Sequence, residues 1–283
     1  MSPLFRTLTV VVAAILSLWS VNARADLIVL VHGYLSDGRS WHGSGIVSMF
    51  QSQRWPLGGA LLPQPPFVID DTREKGGQVP EHTVFLAELP SLAPLAVQAL
   101  VLESELVHLG RRHPGQPLII VGHSAGGVVA RLALVRGQLP PVRALITIAA
   151  PHLGTPRAEM ALDAISDPWP LEVFKDFFVG GPYPLLRESS GLLFDLARPF
   201  PGSLLFALNL APHPDIRYIS VIRTQPFLFG DTLVPGFSQD MNRIPALAGK
   251  AEVVLVPGDH PLHPGDGMVL QQLIRKLAKG PSR

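Results

Sequence analysis

The chain has 283 residues, of which 47% are hydrophobic and 16% charged, with no cysteine and a formal net charge of +1. That balance excludes an intrinsically disordered chain, a disulfide-stapled scaffold and a strongly basic or acidic surface, so nucleic acid is not an expected partner. Twenty-nine prolines predict many fixed turns and long irregular connections.

The first segment reads as a targeting signal. Arg6 supplies a positive start, residues 8–21 form an apolar run, and "ARA" at 23–25 offers a small-x-small cleavage pattern before Asp26. The run is shorter than the roughly 20 residues that span a bilayer. The expectation is a leader removed after Ala25, export to the periplasm or the medium, and a single domain over 26–283 that stands on its core.

In the mature part, "DLIVLVHGY" (26–34) is a continuous aliphatic run without polar alternation, and "PLIIVGHS" (117–124) and "RALITIAAP" (143–151) repeat it. "TVFLAELP" (83–90), "IRYISVIR" (216–223) and "AEVVLVPG" (251–258) read as further strands, while "PFVID" (66–70) fits a short edge strand or a loop. Such runs suit strands buried on both faces of a parallel sheet. Helical spacing of apolar residues appears in 94–111, in 125–136 and in "MVLQQLIRKLAK" near the end. Alternating strands and helices predict an α/β fold with a mostly parallel central sheet flanked by helices. Residues 155–213 break the alternation: they hold aromatic-rich patches with no strand candidate, and read as a helical lid or cap inserted in the domain.

The pattern G-x-S-x-G occurs as Gly122-His123-Ser124-Ala125-Gly126, at the point where a buried strand gives way to an apolar helix. That context matches a nucleophile elbow, in which a strained turn lifts a serine hydroxyl above the carboxyl edge of the sheet. The plainer reading is a serine that caps the helix. A reactive serine needs two oxyanion donors. The backbone N–H of Ala125 is one, and "VHGY" (31–34), leaving the first mature strand, makes Tyr34 the candidate for the other.

Serine also needs a histidine to take its proton and a carboxylate to orient that histidine. In this arrangement the chain order is serine, acid, histidine. His260 directly follows a late strand, and His263 lies three residues on in the same loop. His260 is preferred by its place at the strand end, which leaves His263 as the second choice or a surface histidine. For the acid, Asp231 in "FGDTLVP" leads over Asp240, Asp259 and Asp266. Asp259 adjoins His260, and neighbours in sequence seldom aim their side chains at each other; Asp266 belongs to the start of the last helix. Asp163 and Asp167 lie in the insertion. A metal site at His260, His263, Asp259 and Asp266 is disfavoured because the loop is rich in proline and glycine. No phosphate-binding loop is present, and neither cofactor nor metal is expected.

"VHGY", "GHSAGG", "APHLGTP" (150–156) and "GDTLVP" follow one another across the mature chain, and resemble the α/β-hydrolase superfamily, more narrowly its bacterial lipase and esterase branch. "PGSLLFALN" (201–209) is similar to a segment that follows the lid there. The resemblance implies the α/β-hydrolase fold, a triad of Ser124, Asp231 and His260, oxyanion donors at Tyr34 and Ala125, and acyl chains of medium or greater length. One departure is Pro261 directly after His260, which keeps the choice between His260 and His263 open.

The reading that follows is an exported serine carboxylic-ester hydrolase acting on small-molecule or lipid esters, touching lipid surfaces through its lid. Trp169, Phe174, Phe177, Phe178, Phe194 and Phe206 would line an acyl groove or simply pack the insertion. The alternatives are an acyltransferase or thioesterase on the same triad, and a non-catalytic binding or chaperone protein of the same fold.

Overall fold

The computed structural model describes residues 25–64, 68–70, 80–137, 139–166 and 183–278. The expected leader, Asp167, Trp169, Phe174, Phe177 and Phe178 lie outside these residues. Among the described residues no helix is long and apolar enough to cross a membrane.

Among the described residues nine strands form one sheet: β1 (Asp26–Val31), β2 (Leu57–Leu61), β3 (Val68–Asp70), β4 (His82–Ala87), β5 (Leu118–His123), β6 (Val142–Ile148), β7 (Arg217–Gln225), β8 (Leu228–Phe229) and β9 (Ala251–Pro257). Their order is β3-β2-β4-β1-β5-β6-β7, with β9 parallel to β7 and β8 paired antiparallel with the last residues of β7. The sheet is parallel apart from the short β3 and β8 pairings.

The aliphatic runs are explained by two covered faces. Along β1, Leu27, Val29 and Val31 join one core while Ile28 and Leu30 join the other, and none is exposed. On the second face lie α1 (Arg39–Gly43), carrying the buried Trp41, and α2 (Ile46–Ser52). The first is covered by α3 (Leu95–Arg112) and α4 (Ala125–Arg136). The helices α5 (Pro156–Ser166), α6 (Tyr183–Glu188), α7 (Ser190–Leu196) and α8 (Leu204–Leu210) stand between β6 and β7, with no strand among the described residues of that stretch. They extend the first core, through Ala161, Leu186, Leu192 and Leu205. A single turn, α9 (Gly236–Gln239), precedes β9, and α10 (Pro264–Ala278) closes the chain against α2 and the second core.

The strand expected over 83–90 stops at Ala87, because Leu89 turns its backbone N–H to His32 Nε2 (3.0 Å) and Pro90 has none to give a ladder. The strand expected to reach 151 stops at Ile148, where Ala149 takes φ 53°. The last helix starts earlier than its apolar spacing, with Pro264 at its first position, where a missing N–H costs nothing. β2 and the helices α1 and α2 were not foreseen. "LGGAL" shows neither alternation nor an aliphatic run, and α1 and α2 are too short to display a period. "PFVID" supplies the edge strand β3.

Candidate active site

Ser124 sits between β5 and α4 with φ 53° and ψ −129°, a conformation that L residues seldom adopt. Its backbone N–H donates to Ile148 O (2.9 Å), which pins the turn to the end of β6. The neighbouring glycines are demanded by space. A Cβ at Gly126 would lie 2.2 Å from His32 O, so only glycine lets α4 start directly under the loop leaving β1. A Cβ at Gly33 would lie 2.9 Å from Ser124 Cβ and 3.2 Å from His123 O. The loop of residues 32–34 therefore runs alongside the serine.

His32, wholly buried, holds that loop in place. Its Nδ1–H donates to Gly33 O (3.0 Å) and its Nε2 accepts from Leu89 N. Burial lowers its pKa, so the ring stays neutral as this pairing requires. The Tyr34 hydroxyl donates to Ser189 Oγ (2.7 Å), which donates in turn to Leu185 O (2.8 Å), linking the loop to the α6–α7 junction. Among the described residues no acceptor is bonded to the backbone N–H of Tyr34 or of Ala125.

Ser124, His260 and Asp231 are hydrogen-bonded in series. Ser124 Oγ lies 2.8 Å from His260 Nε2, and His260 Nδ1 lies 3.1 Å from Asp231 Oδ2. A carboxylate only accepts, so Nδ1 carries the proton and Nε2 offers its lone pair to the hydroxyl. Asp231 is 4% exposed and His260 9%. The carboxylate is saturated with donors: Leu233 N (2.8 Å) and Val234 N (2.7 Å) on Oδ1, and Gln239 Nε2 (3.0 Å) beside His260 on Oδ2. Gln239 was not foreseen. Its other end accepts from Arg223 N (2.8 Å), so a single side chain connects Asp231 to β7.

His263, the second choice for the base, points elsewhere. Its Nε2 accepts from Arg223 Nη1 (3.1 Å), and its backbone N–H donates to Asp266 Oδ2 (2.9 Å). Arg223 and Asp266 form a fully buried bidentate ion pair at 2.6 and 2.7 Å, and Arg223 Nη2 also donates to Pro261 O (3.2 Å). His263 is thus part of the frame under the loop that carries His260, called the base loop below, rather than an ordinary surface histidine. An arginine inside the run "IRYISVIR" was the visible signal of that frame.

His123, just before the serine, donates from Nε2 to the backbone carbonyl of His260 (2.9 Å). Burial, reinforced by the neighbouring His260, pushes its pKa down to about 3, so it stays a neutral donor. The other candidate acids are placed differently. Asp240 caps a short turn through Asn242 N, Asp163 is exposed on α5, and Asp259 binds Thr232, Gln225 and the His260 backbone.

Residues 93–165, from the start of α3 through α5 and including Ser124, match the family model of the PGAP1-like alpha/beta domain. No curated protein matches the chain. Solved structures resemble it over nearly its whole length at low identity. The mature form of the lipase BlEst2 from Bacillus licheniformis has a TM-score of 0.58 at 14% identity, covering 90% of this chain and 92% of that one. A lipase-esterase related protein from Clostridium acetobutylicum gives 0.53 at 12% identity, over 90% and 96%. The carboxylesterase CesB (YbfK) from Bacillus subtilis gives 0.50 at 14%, over 91% and 85%. With the parallel sheet, the strained serine turn between β5 and α4 and these likenesses together, the chain has the α/β-hydrolase fold.

Proposed function

We propose that the protein is an exported serine hydrolase of carboxylic esters that acts on lipid-like acyl esters through an acyl-enzyme. The observation that carries the reading is the series Ser124–His260–Asp231, joined at 2.8 and 3.1 Å on a strained turn at the carboxyl edge of the sheet. Ser124 Oγ attacks the ester carbonyl while His260 Nε2 takes its proton, and Asp231 stabilises the imidazolium through Nδ1–H. The N–H groups of Tyr34 and Ala125 receive the oxyanion; Ala125 opens α4, where helical N–H groups have no partner of their own. His260 then protonates the departing alcohol, and a water activated by the same ring releases the free acid.

The lipid-like substrate is supported by the helical insertion, taken as a lid, and by the exposed apolar side chains it and the acid loop present. Phe194 and Phe200 form an edge-to-face pair on the insertion, and Phe227, Leu228 and Phe229 stand out just before Asp231. Export rests on residues 1–25. The likeness of the fold to those of lipases and a carboxylesterase is consistent with this reading.

The test is labelling by a fluorophosphonate with the adduct mapped by mass spectrometry, followed by hydrolysis of p-nitrophenyl esters of graded chain length. We expect the adduct on Ser124, loss of hydrolysis in Ser124→Ala, and free acid as the product even with added alcohol. An adduct on another residue, or hydrolysis retained in Ser124→Ala, would sink the reading.

A further inference from the structure

The base loop is anchored on two sides. Toward the core, Arg223 holds Pro261 O and the buried Asp266. Toward the acid, a single carboxylate oxygen, Asp259 Oδ1, accepts from four donors: Thr232 N (3.1 Å), Thr232 Oγ1 (2.8 Å), Gln225 Nε2 (2.9 Å) and His260 N (2.8 Å). Thr232 directly follows Asp231, Gln225 ends β7, and His260 is the base itself. One atom thus ties together the three segments whose relative position sets the Asp231–His260 bond, which at 3.1 Å has little room to lengthen.

We propose that Asp259 is a positioning residue that clamps the base loop to the acid loop and keeps His260 aligned with Asp231. The role rests on the ester-hydrolase reading above. Although exposed, Asp259 is not an idle surface carboxylate. Burial works to raise its pKa, but the hydrogen bonds from Thr232, His260 and Gln225 outweigh it and hold the group below the usual carboxylate range. Its neighbourhood to His260 in sequence, which keeps it from orienting the ring directly, is what lets it hold the backbone N–H of His260 while reaching across to Thr232. The Arg223 side chain hydrogen-bonds to the base loop but not to Asp231 or Thr232, and Gln239 joins Asp231 to β7 without reaching the base loop, so Asp259 supplies the direct hydrogen bonds between the two loops beside the Asp231–His260 bond itself.

A clamp and a charge effect are separable. Asn at 259 keeps an acceptor oxygen without the charge, while Ala removes both. In Asp259→Ala we expect kcat to fall about tenfold, since small misplacements of catalytic groups cost one to two orders of magnitude, with KM within twofold and phosphonate labelling slowed in proportion. The acid limb of the kcat/KM–pH profile should move to lower pH, because a poorly aligned Asp231 stabilises the imidazolium less. Asp259→Asn should restore kcat to within about threefold of the parent. Thr232→Val, which removes one donor and keeps the shape, should lower kcat about threefold, and it reads the same contact if Asp259→Ala does not fold. Lowered melting temperature with unchanged kcat and pH profile in Asp259→Ala, or in Thr232→Val where that stands in, would overturn the clamp. Asp259→Asn as impaired as Asp259→Ala would also overturn it. If Ser124→Ala still hydrolyses esters, the hydrolase reading fails separately, whatever Asp259 does.

Discussion

At the scale of single residues, space beside Ser124 is the limiting resource. A methyl group at Gly33 would press on Ser124 Cβ and His123 O together, both of which are fixed by the strained turn. Gly33→Ala should therefore fold, yet lose about a hundredfold in kcat by moving the loop that faces the serine; steady-state kinetics against the melting temperature checks both halves. Asp231→Asn should cost about 10³–10⁴ in kcat without unfolding the protein, because an amide at Oδ2 can present N–H to Nδ1 and favour the wrong tautomer. Ser124, Asp231 and His260, which the structure brings within hydrogen-bonding distance, were each legible as candidates because a local cue coincided with a strand end. Gln239 was not: nothing near it in sequence tells that its amide will reach Asp231, since that contact exists only after α9 folds back on β7. Asp259 was legible as a residue but not in its role, which is to hold a backbone and not a ring.

Elements with strong periodicity were readable, and those with none were not. β1, β5 and β6 are buried on both faces and announce themselves as aliphatic runs, whereas β2 hides two glycines against β4. The frame under the base loop joins β7 to α10 by the Arg223–Asp266 pair, both wholly buried. Asp266→Ala leaves the guanidinium without its counter-charge, and we expect about 3–5 kcal/mol of destabilisation in urea unfolding. A paired replacement of Arg223 and Asp266 by apolar residues of similar volume should recover most of that stability. It should leave activity low, because Pro261 O and His263 also lose their hold.

For the whole molecule, buried titratable groups set the pH range of stability. His123 is held down to about 3 and His82 and His213 to about 4, all chiefly by burial, and His152 lies well below its usual value. Between these values and 6.5 the unfolded chain binds more protons than the native one, so stability is full above 6.5 and falls as the solution is acidified. Each fully buried ring, His82 and His152, contributes up to about 1.4 kcal/mol per pH unit, and the partly exposed His123 and His213 contribute less. Urea midpoints should therefore drop steeply from pH 6.5 toward 4. Glu105 acts oppositely: burial, with the charge of Glu88, raises its pKa from 4.5 to about 9. Its contribution is full below 4.5 and lost as pH rises through 9. Glu105→Gln should thus gain on the parent as pH rises, by about 2 kcal/mol or more at pH 8, and a flat difference between the two from pH 5 to 9 would contradict the assignment. β9 pairs with β7, which is already joined to β6, and carries the loop of His260 at its end. Ser124 and His260 are separated by 136 positions in the chain. A chain in which only β1 through β6 had folded would hold the serine turn without His260 beside it. If the proposed function holds, the appearance of phosphonate reactivity during refolding from urea dates the docking of the final strand.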